Sequence, residues 1–281
     1  MVIDLNSEHD FDYRKDKDVA LSIIKCRDLS MYDDMKDLYE GLLSKERISE
    51  LIKNSDSVIR SAIASYNALP KEFLVLLSED ESVNVRISVA GNKNTPNHIL
   101  KKLLLDKKQV ATTIVFGAEL SDHMLLNIFE SKYRDLLVER NHLPLFMQEM
   151  LFDIGSPDIK RKFIYNHTTS GIILEKLWND ESVTEKVNII SNANITEELL
   201  RKFYLTAETD VLKGHIGLRD FCPLDLKISV IQDCGSGQKT NRPSSYEVIR
   251  YQVKKKAETN FDDLSADEKR LYLKNIHLFQ E

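Results

Sequence analysis

Glycine and proline are scarce in this chain of 281 residues, which contains nine glycines and six prolines. Folds built from many tight turns, such as β-sandwiches and barrels, need both residues in number, so their scarcity favours helices. No apolar run reaches the length of a membrane span, and the first residues lack the basic start and apolar core of a signal peptide. We therefore expect a soluble, cytoplasmic and mostly helical protein.

Recognisable catalytic and metal-binding patterns are also missing. The three cysteines, Cys26, Cys222 and Cys234, form no CxxC pair and have no histidine at ligand spacing, which argues against a disulfide framework and a zinc site. The seven histidines are scattered, and no nucleophile elbow is present. We expect free thiols, no cofactor, no metal and no enzymatic activity, while a site assembled from distant residues would leave no motif.

Positive charge is in the minority, with 39 Lys and Arg against 45 Asp and Glu and a net charge of -6. Nucleic acids and anionic membranes both bind more tightly to a basic surface, so the excess of acidic residues disfavours them as partners. A local basic groove is still compatible with it. An acidic chain fits a protein partner better, including a basic one.

What the chain does have is a repeat. Pro70, Pro96, Pro144 and Pro223 share one flanking pattern, and Asp122, Ser170 and Thr196 take that position in three further units of about 22 to 27 residues. Apolar residues fill three columns of this alignment. Seven residues before the proline column lie Ile63, Val89, Val115, Leu137, Phe163, Ile189 and Ile216. Three residues after it lie Phe73, Ile99, Leu125, Met147, Ile173, Leu199 and Leu226, and seven after it Leu77, Leu103, Phe129, Leu151, Leu177, Phe203 and Val230.

Each unit is predicted to be a pair of short helices. In residues 85–106, VRISVAGNKNTPNHILKKLLLD, Thr95 is expected to cap the second helix and Pro96 to lie in its first turn. Asn recurs shortly before the column, and we expect it to end the first helix in a left-handed conformation. Helices of two or three turns are unstable alone, so neighbouring units must cover their apolar faces.

The same stretch resembles the leucine-rich repeat variant family, whose units run Val-Arg, Ala, Asn, Thr-Pro and then spaced leucines. The matching residues are Val85, Arg86, Ala90, Asn92, Thr95, Pro96, Leu100 and Leu103. The resemblance implies a HEAT-like, all-α, right-handed α-solenoid, here of about seven two-helix repeats with capping helices. Some members hold an iron–sulfur centre on an N-terminal cysteine cluster, but this chain has only Cys26 in that region.

Four segments are predicted along the chain. Residues 1–54 form an N-terminal helical cap with a degenerate repeat, residues 55–233 the array, 234–245 a linker and 246–281 a helical tail. The linker sequence GSGQKT has no adjacent Gly-Lys pair, so it is not a phosphate loop. Ser244 with Glu247 and Ser265 with Glu268 have the spacing of capping boxes, and each is expected to open a tail helix. The tail would either fold back on the last repeat or serve as a docking arm.

Ten residues before the column, six of the seven units carry a base, with Thr112 as the exception. These bases are Arg60, Arg86, Arg134, Lys160, Lys186 and Lys213. One interpretation is a groove that tracks phosphates or acidic peptides. The favoured one is a structural ladder in which each base bonds an acid or a carbonyl, with Asp80, Asp106 and Asp180 as possible partners, because a residue type found in nearly every unit is usually needed by the unit itself.

Partner contacts are expected from residues that break the repeat on the second helices. We single out Lys101, Lys102, Lys176, Trp178, Arg201 and Lys202, with solvated surface as the alternative for the charged ones and core packing as the alternative for Trp178. The predicted function is a non-enzymatic scaffold that binds another protein along its concave surface, for example an immunity or accessory protein of a bacterial system. The rival is a HEAT-like nucleic-acid binder that uses the basic column.

Overall fold

The computed structural model describes residues 21–22, 24–25, 28–117, 120–234 and 245–279, and these residues form helices, turns and loops without a β-strand. The chain divides into two compact units, residues 1–140 and 141–281. The division falls inside the predicted array. In both units the helices repeat as stacked pairs, so each unit is an all-α, solenoid-like stack of repeats, as predicted. The right-handed superhelix and the four predicted segments stay predictions.

The first unit contains eight described α-helices, most of them only two turns long. These are α1 (Tyr32–Glu40), α2 (Lys45–Leu51), α3 (Ser57–Ser65), α4 (Lys71–Leu77), α5 (Val83–Gly91), α6 (Asn97–Leu103), α7 (Lys108–Phe116) and α8 (Asp122–Phe129), with 3₁₀ helices at Leu29–Met31 and Arg134–Glu139. The first helices of successive pairs stack on one another, α3 on α5 and α5 on α7. Because no such helix is stable alone, this stacking supplies most of its stability.

The second unit continues the same pattern and then adds a different ending. Its helices are α9 (Leu145–Ile154), α10 (Pro157–Tyr165), α11 (Gly171–Asn179), α12 (Lys186–Ser191), α13 (Glu197–Thr206), α14 (Asp210–Gly217), α15 (Leu224–Cys234), α16 (Ser245–Asn260) and α17 (Ala266–Lys274), with 3₁₀ helices at Phe261–Asp263 and Ile276–Phe279. Helices α9, α11 and α13 stack in one row, and α10, α12 and α14 stack in the other. The helix pairs α10–α11, α12–α13 and α14–α15 are the last three repeats.

The predicted apolar columns form the core of the repeats. Of the 21 aligned residues, all are buried except Phe129, which is half-buried. The reason is a shift of one residue in the third unit: Ser121, not Asp122, occupies the N-cap of α8 and accepts a hydrogen bond from Met124 N at 3.3 Å. Counted from Ser121, the column positions fall on Met124 and Ile128, and both are fully buried.

The hinge between the two helices of a pair differs from the prediction. Pro96 itself occupies the N-cap of α6, with φ -62° and ψ 143°. Thr95 does not cap that helix, because its buried hydroxyl donates to Val89 O at 2.5 Å, and Thr169 donates in the same way to Phe163 O at 2.7 Å. Each threonine therefore fixes the end of the preceding helix.

The asparagines end the first helices, but not by a left-handed conformation. Asn92 has φ -79° and ψ 128°, which is extended backbone. Its side-chain amide donates to Ala64 O and Tyr66 O of the preceding repeat, both at 2.8 Å. Asn192 makes the equivalent bonds to Ile164 O and Asn166 O. These asparagines satisfy the carbonyls left open at the end of the neighbouring helix and so join successive repeats.

The two ends of the chain cover the outer repeats of their own units. Met35, Leu38, Ile48 and Leu51 of α1 and α2 are buried, and α2 packs on α3. At the other end α16 packs on α14 and α15, and α17 packs on α15, so the tail folds back on the last repeat. Most of residues 1–27 and residues 235–244 of the linker, including Cys26 and Ser244, lie outside the described residues.

A close helix contact fixes the tail. Gly214 and Gly217 of α14 face α16, and a Cβ atom at Gly217 would lie 2.6 Å from Cδ1 of Ile249. Only glycine lets the two helices approach so closely. The predicted capping box at Ser265 and Glu268 is confirmed at the start of α17, where each residue bonds the backbone N–H of the other.

Candidate functional site

The basic column is bonded within the protein. Arg60 donates from Nε and Nη2 to the two carboxylate oxygens of Asp80, at 2.7 and 2.9 Å, and its Nη1 donates to Asn54 O and Ser55 O. The Arg60 and Asp80 side chains are only 7% and 9% exposed. The guanidinium thus ties α3 to the loops on either side of its own repeat.

The same arrangement recurs at a constant spacing of twenty residues. Each of these bases bonds an aspartate at or just after the end of the second helix of its repeat. Arg86 bonds Asp106 at 2.5 Å, Lys160 bonds Asp180 at 2.6 Å, and Lys213 bonds Asp233, in the last turn of α15, at 2.8 Å. Hydrogen bonds from Lys160 and Ser182 lower the pKa of Asp180 to about 2. A carboxylate held so firmly in its charged form stabilises the folded state above pH 4.

Aromatic rings complete the ladder in four repeats. Counted from the corrected column, the eighth residue of the second helix is Phe129, Phe152, Trp178 or Tyr204. A base from the basic column lies over each ring, at 5.9 Å for Arg134, 5.4 Å for Lys160, 5.5 Å for Lys186 and 5.3 Å for Lys213. Lys186 also donates to Trp178 O. Phe152, Trp178 and Tyr204 follow the predicted column by eight residues, so the sequence already contained this aromatic column, and Phe129 joins it after the shift from Asp122 to Ser121.

Trp178 does not fit the expected role of partner contact. Its side chain is 4% exposed, stacks on Phe203 with ring centroids 4.3 Å apart and donates from Nε1 to Thr206 Oγ1 at 2.8 Å. A ring that is buried and bonded in this way packs two repeats together and offers no surface to another protein.

The other predicted contact residues lie on the surface of the second helices. Lys101 is exposed, and Lys102 pairs with Glu79. Lys176 pairs with Glu149 at 3.2 Å, Lys202 with Glu175 at 3.0 Å and Arg201 with Asp225 at 2.6 Å. These pairs join neighbouring repeats, and exposed pairs of this kind are weak enough to exchange for partner contacts. Their role in binding stays a prediction.

A concave feature lies between the last repeat and the tail. We call it the C-terminal groove; it has a volume of about 400 Å³ and lies among α13, α15, α16, α17 and the loop before α15. Its charged residues are Glu197, Asp220, Asp225, Asp267, Glu268 and Lys256, and its apolar residues include Phe221, Leu224 and Leu271. Five carboxylates against one ammonium group make the rim acidic. Phe221 is 44% exposed there, a large fraction for a phenylalanine.

A smaller cavity of about 50 Å³ adjoins the groove, since Asp220, Cys222, Leu224, Lys256 and Glu268 line both. Two buried polar side chains face it. Burial raises the pKa of the Cys222 thiol to about 12, so the thiol is protonated near neutral pH and is a poor nucleophile. Burial lowers the pKa of Lys227, which is 8% exposed.

Lys227 was missed by the sequence reasoning although the repeat contains a signal for it. Four residues after the corrected column, five of the seven repeats carry leucine. The exceptions are Gln148 and Lys227. Gln148 is buried but satisfied, because its amide donates to Leu143 O at 2.8 Å and accepts from Ser170 N at 2.9 Å. Lys227 thus places a cation at a position where most repeats have a leucine.

The described residues contain neither a metal-binding cluster nor a membrane-spanning helix. Within the described ranges, no three His, Cys, Asp or Glu side chains are grouped so that they could hold a metal ion. No helix in the same ranges combines the length and the apolarity needed to cross a bilayer.

Comparison with known proteins adds little. No protein-family model matches the sequence, and no curated protein matches it significantly. A solved structure described as a leucine-rich repeat variant with a novel repetitive protein structural motif is similar, with 22% identity over 78% of this chain and 82% of that chain and a TM-score of 0.41. Similarity of this degree carries no argument about function, and membership of that family stays a prediction.

Proposed function

We propose that the protein is a non-enzymatic repeat scaffold that binds another protein, and that a basic segment of this partner lies in the C-terminal groove. The observation that carries the proposal is the groove itself, in which an acidic rim surrounds exposed apolar side chains. A hydrophobic contact with complementary charges at its edge is the usual composition of a protein-binding site.

Two carboxylates of the acidic rim can bind a partner without breaking an existing contact. Asp220 and Asp267 are exposed, and neither carboxylate makes a hydrogen bond or an ion pair with another described residue. Glu197 and Asp225 are instead held by Arg201, and Glu268 caps α17. Asp220 and Asp267 are therefore the carboxylates that a basic partner would reach first.

The rival function, nucleic-acid binding, receives less support. Four bases of the predicted column are bonded to aspartates, and two more lie over aromatic rings. Phosphates would have to replace these bonds, and they would also face a chain of net charge -6. We expect no duplex binding in fluorescence anisotropy at low salt, and tight binding that weakens steeply with salt would support the rival.

Charge reversal in the groove tests the proposal. The full chain carrying Asp220→Lys and Asp267→Lys should fail to capture proteins from the native host that the parent captures. Glu258→Lys is the matched control, because Glu258 is an exposed acid of α16 that lines neither cavity. If the double variant captures the same proteins as the parent, the groove is not the binding site.

A further inference from the structure

The Lys227 ammonium group is buried with few partners. Its Nζ donates to Gln252 Oε1 at 3.3 Å, and among the described residues no carboxylate forms an ion pair with it. Asp220 acts on its charge only from a greater distance. An ammonium group has three N–H donors, so two remain for a ligand or for water. A buried cation without a counter-ion is costly, and an anionic ligand would remove that cost.

The cavity beside Lys227 is the size of a small polar group. Its volume of about 50 Å³ admits about three to five groups the size of water, at ~10–15 Å³ each. Lys256 is the second cation of the lining, Asp220 and Glu268 are its two acids, and its less polar residues include Val253, Ala257, Leu264 and Tyr272. A carboxylate fits this space, because its oxygens can accept hydrogen bonds from the two ammonium groups of the lining, Lys227 and Lys256.

The acidic rim decides which carboxylate can enter. A free small anion would have to pass five carboxylates with only Lys256 to attract it. A ligand with a carboxylate at its tip and cationic groups behind it would meet favourable charge at both places. A polypeptide presents this combination at its C-terminus when the last residues are basic, and the groove adjoins the cavity through shared lining residues.

We propose that the cavity at Lys227 binds the C-terminal carboxylate of a partner protein whose preceding residues are basic. This inference rests on the proposed function and names the part of the partner that enters the groove. The carboxylate accepts from Lys227 Nζ, the basic side chains approach Asp220 and Asp267, and an apolar side chain of the last residue contacts Phe221 or Leu224.

Peptide binding to the full chain tests this assignment. The probe is a set of labelled hexapeptides with Lys or Arg at three positions and any residue at the last, prepared with a free carboxylate and as the amide. By fluorescence anisotropy, the best acid should bind at least about tenfold more tightly than its amide, the loss expected when a buried charged pair loses one partner. Lys227→Met should remove this difference, and Lys254→Met, at an exposed lysine of α16 that lines neither cavity, should keep it.

The outcomes separate the two proposals. Equal binding of acid and amide by the parent, or an unchanged difference in Lys227→Met, overturns the carboxylate site and leaves the groove as a protein-binding surface. Binding by neither form also overturns it, and the capture experiment then decides the proposed function independently. Displacement of the peptide by millimolar acetate would show that a free small carboxylate is the ligand instead. Circular dichroism and thermal melting check that each variant is folded.

Discussion

The bond between Arg60 and Asp80 allows the internal ladder to be tested quantitatively. Replacing Asp80 by alanine removes both carboxylate oxygens from a guanidinium that is only 7% exposed and also removes the acceptor of Ser82 N–H. Breaking a buried pair in this way costs about 3–5 kcal/mol, because the remaining charge has little water and only the exposed Glu81 carboxylate, 3.5 Å from Nη2, as a close counter-ion. We expect a loss of about 3 kcal/mol, since Asn54 O and Ser55 O still accept from Arg60.

Hydrogen exchange followed by mass spectrometry is the suitable assay, because a repeat protein opens locally. A loss of about 3 kcal/mol corresponds to exchange about 100-fold faster in peptides from α3 and α5. Peptides from the second unit, such as those from α11, provide an internal reference. Glu72→Ala is the matched control, since its bond to Lys45 joins two exposed side chains and is expected to have no measurable effect.

A double substitution distinguishes an unpaired charge from lost packing. If the buried guanidinium is the cause, adding Arg60→Met to Asp80→Ala should restore at least about 1 kcal/mol, because it removes the uncompensated charge. The reasoning is refuted if Asp80→Ala exchanges at nearly the parent rate, or if the double variant is no more stable than the single one.

Four further measurements address other parts of the molecule. Asp180→Asn should make the free energy of unfolding, measured with urea, fall less steeply between pH 4 and pH 2. The pKa of Asp180 is lowered to about 2, so its stabilising contribution is complete above its ordinary pKa of 3.8 and is lost toward pH 2. Asn92→Ala should lower the free energy of unfolding in urea by about 2–3 kcal/mol, because it removes two hydrogen bonds to the preceding repeat and one to its own loop. Gly217→Val should detach α16, seen as faster hydrogen exchange in residues 245–279 alone. Lys227→Met should be at least as stable as the parent at pH 7. Because the pKa of Lys227 is lowered, its penalty is full below the folded pKa, so the difference should shrink as the pH rises from there toward 10.5.

Contacts within one repeat were largely accessible from the sequence. The apolar columns predicted the buried faces because short helices must cover them, and Ser265 with Glu268 predicted a cap because the bonds link residues three apart. The alignment of a unit was less well determined where its column position has no proline. At Ser121 and Asp122 both residues are good N-terminal residues of a helix, and only the burial of the following side chains distinguishes them.

Contacts between repeats could not be predicted from the sequence. A polar side chain can form several alternative hydrogen bonds, and the sequence does not indicate which one it forms. Thr95 is a good N-cap by composition but bonds the preceding helix, and Asn92 reaches the neighbouring repeat when a local left-handed turn was equally reasonable. Trp178 illustrates the same limit, since a single tryptophan suits a binding surface and a core equally well until its exposure is known.

The periodicity of the sequence alone determined that this chain is a series of paired helices, because an apolar face that recurs in every unit is buried when neighbouring helix pairs pack on it. Only the tertiary structure decided that the tail returns to α14 and α15 and encloses Lys227 in a cavity with an acidic approach. The physical reason is that α16 follows residues outside the repeat pattern. Its packing depends on Gly214 and Gly217 of α14 and on apolar contacts with α15 that no spacing in the sequence records.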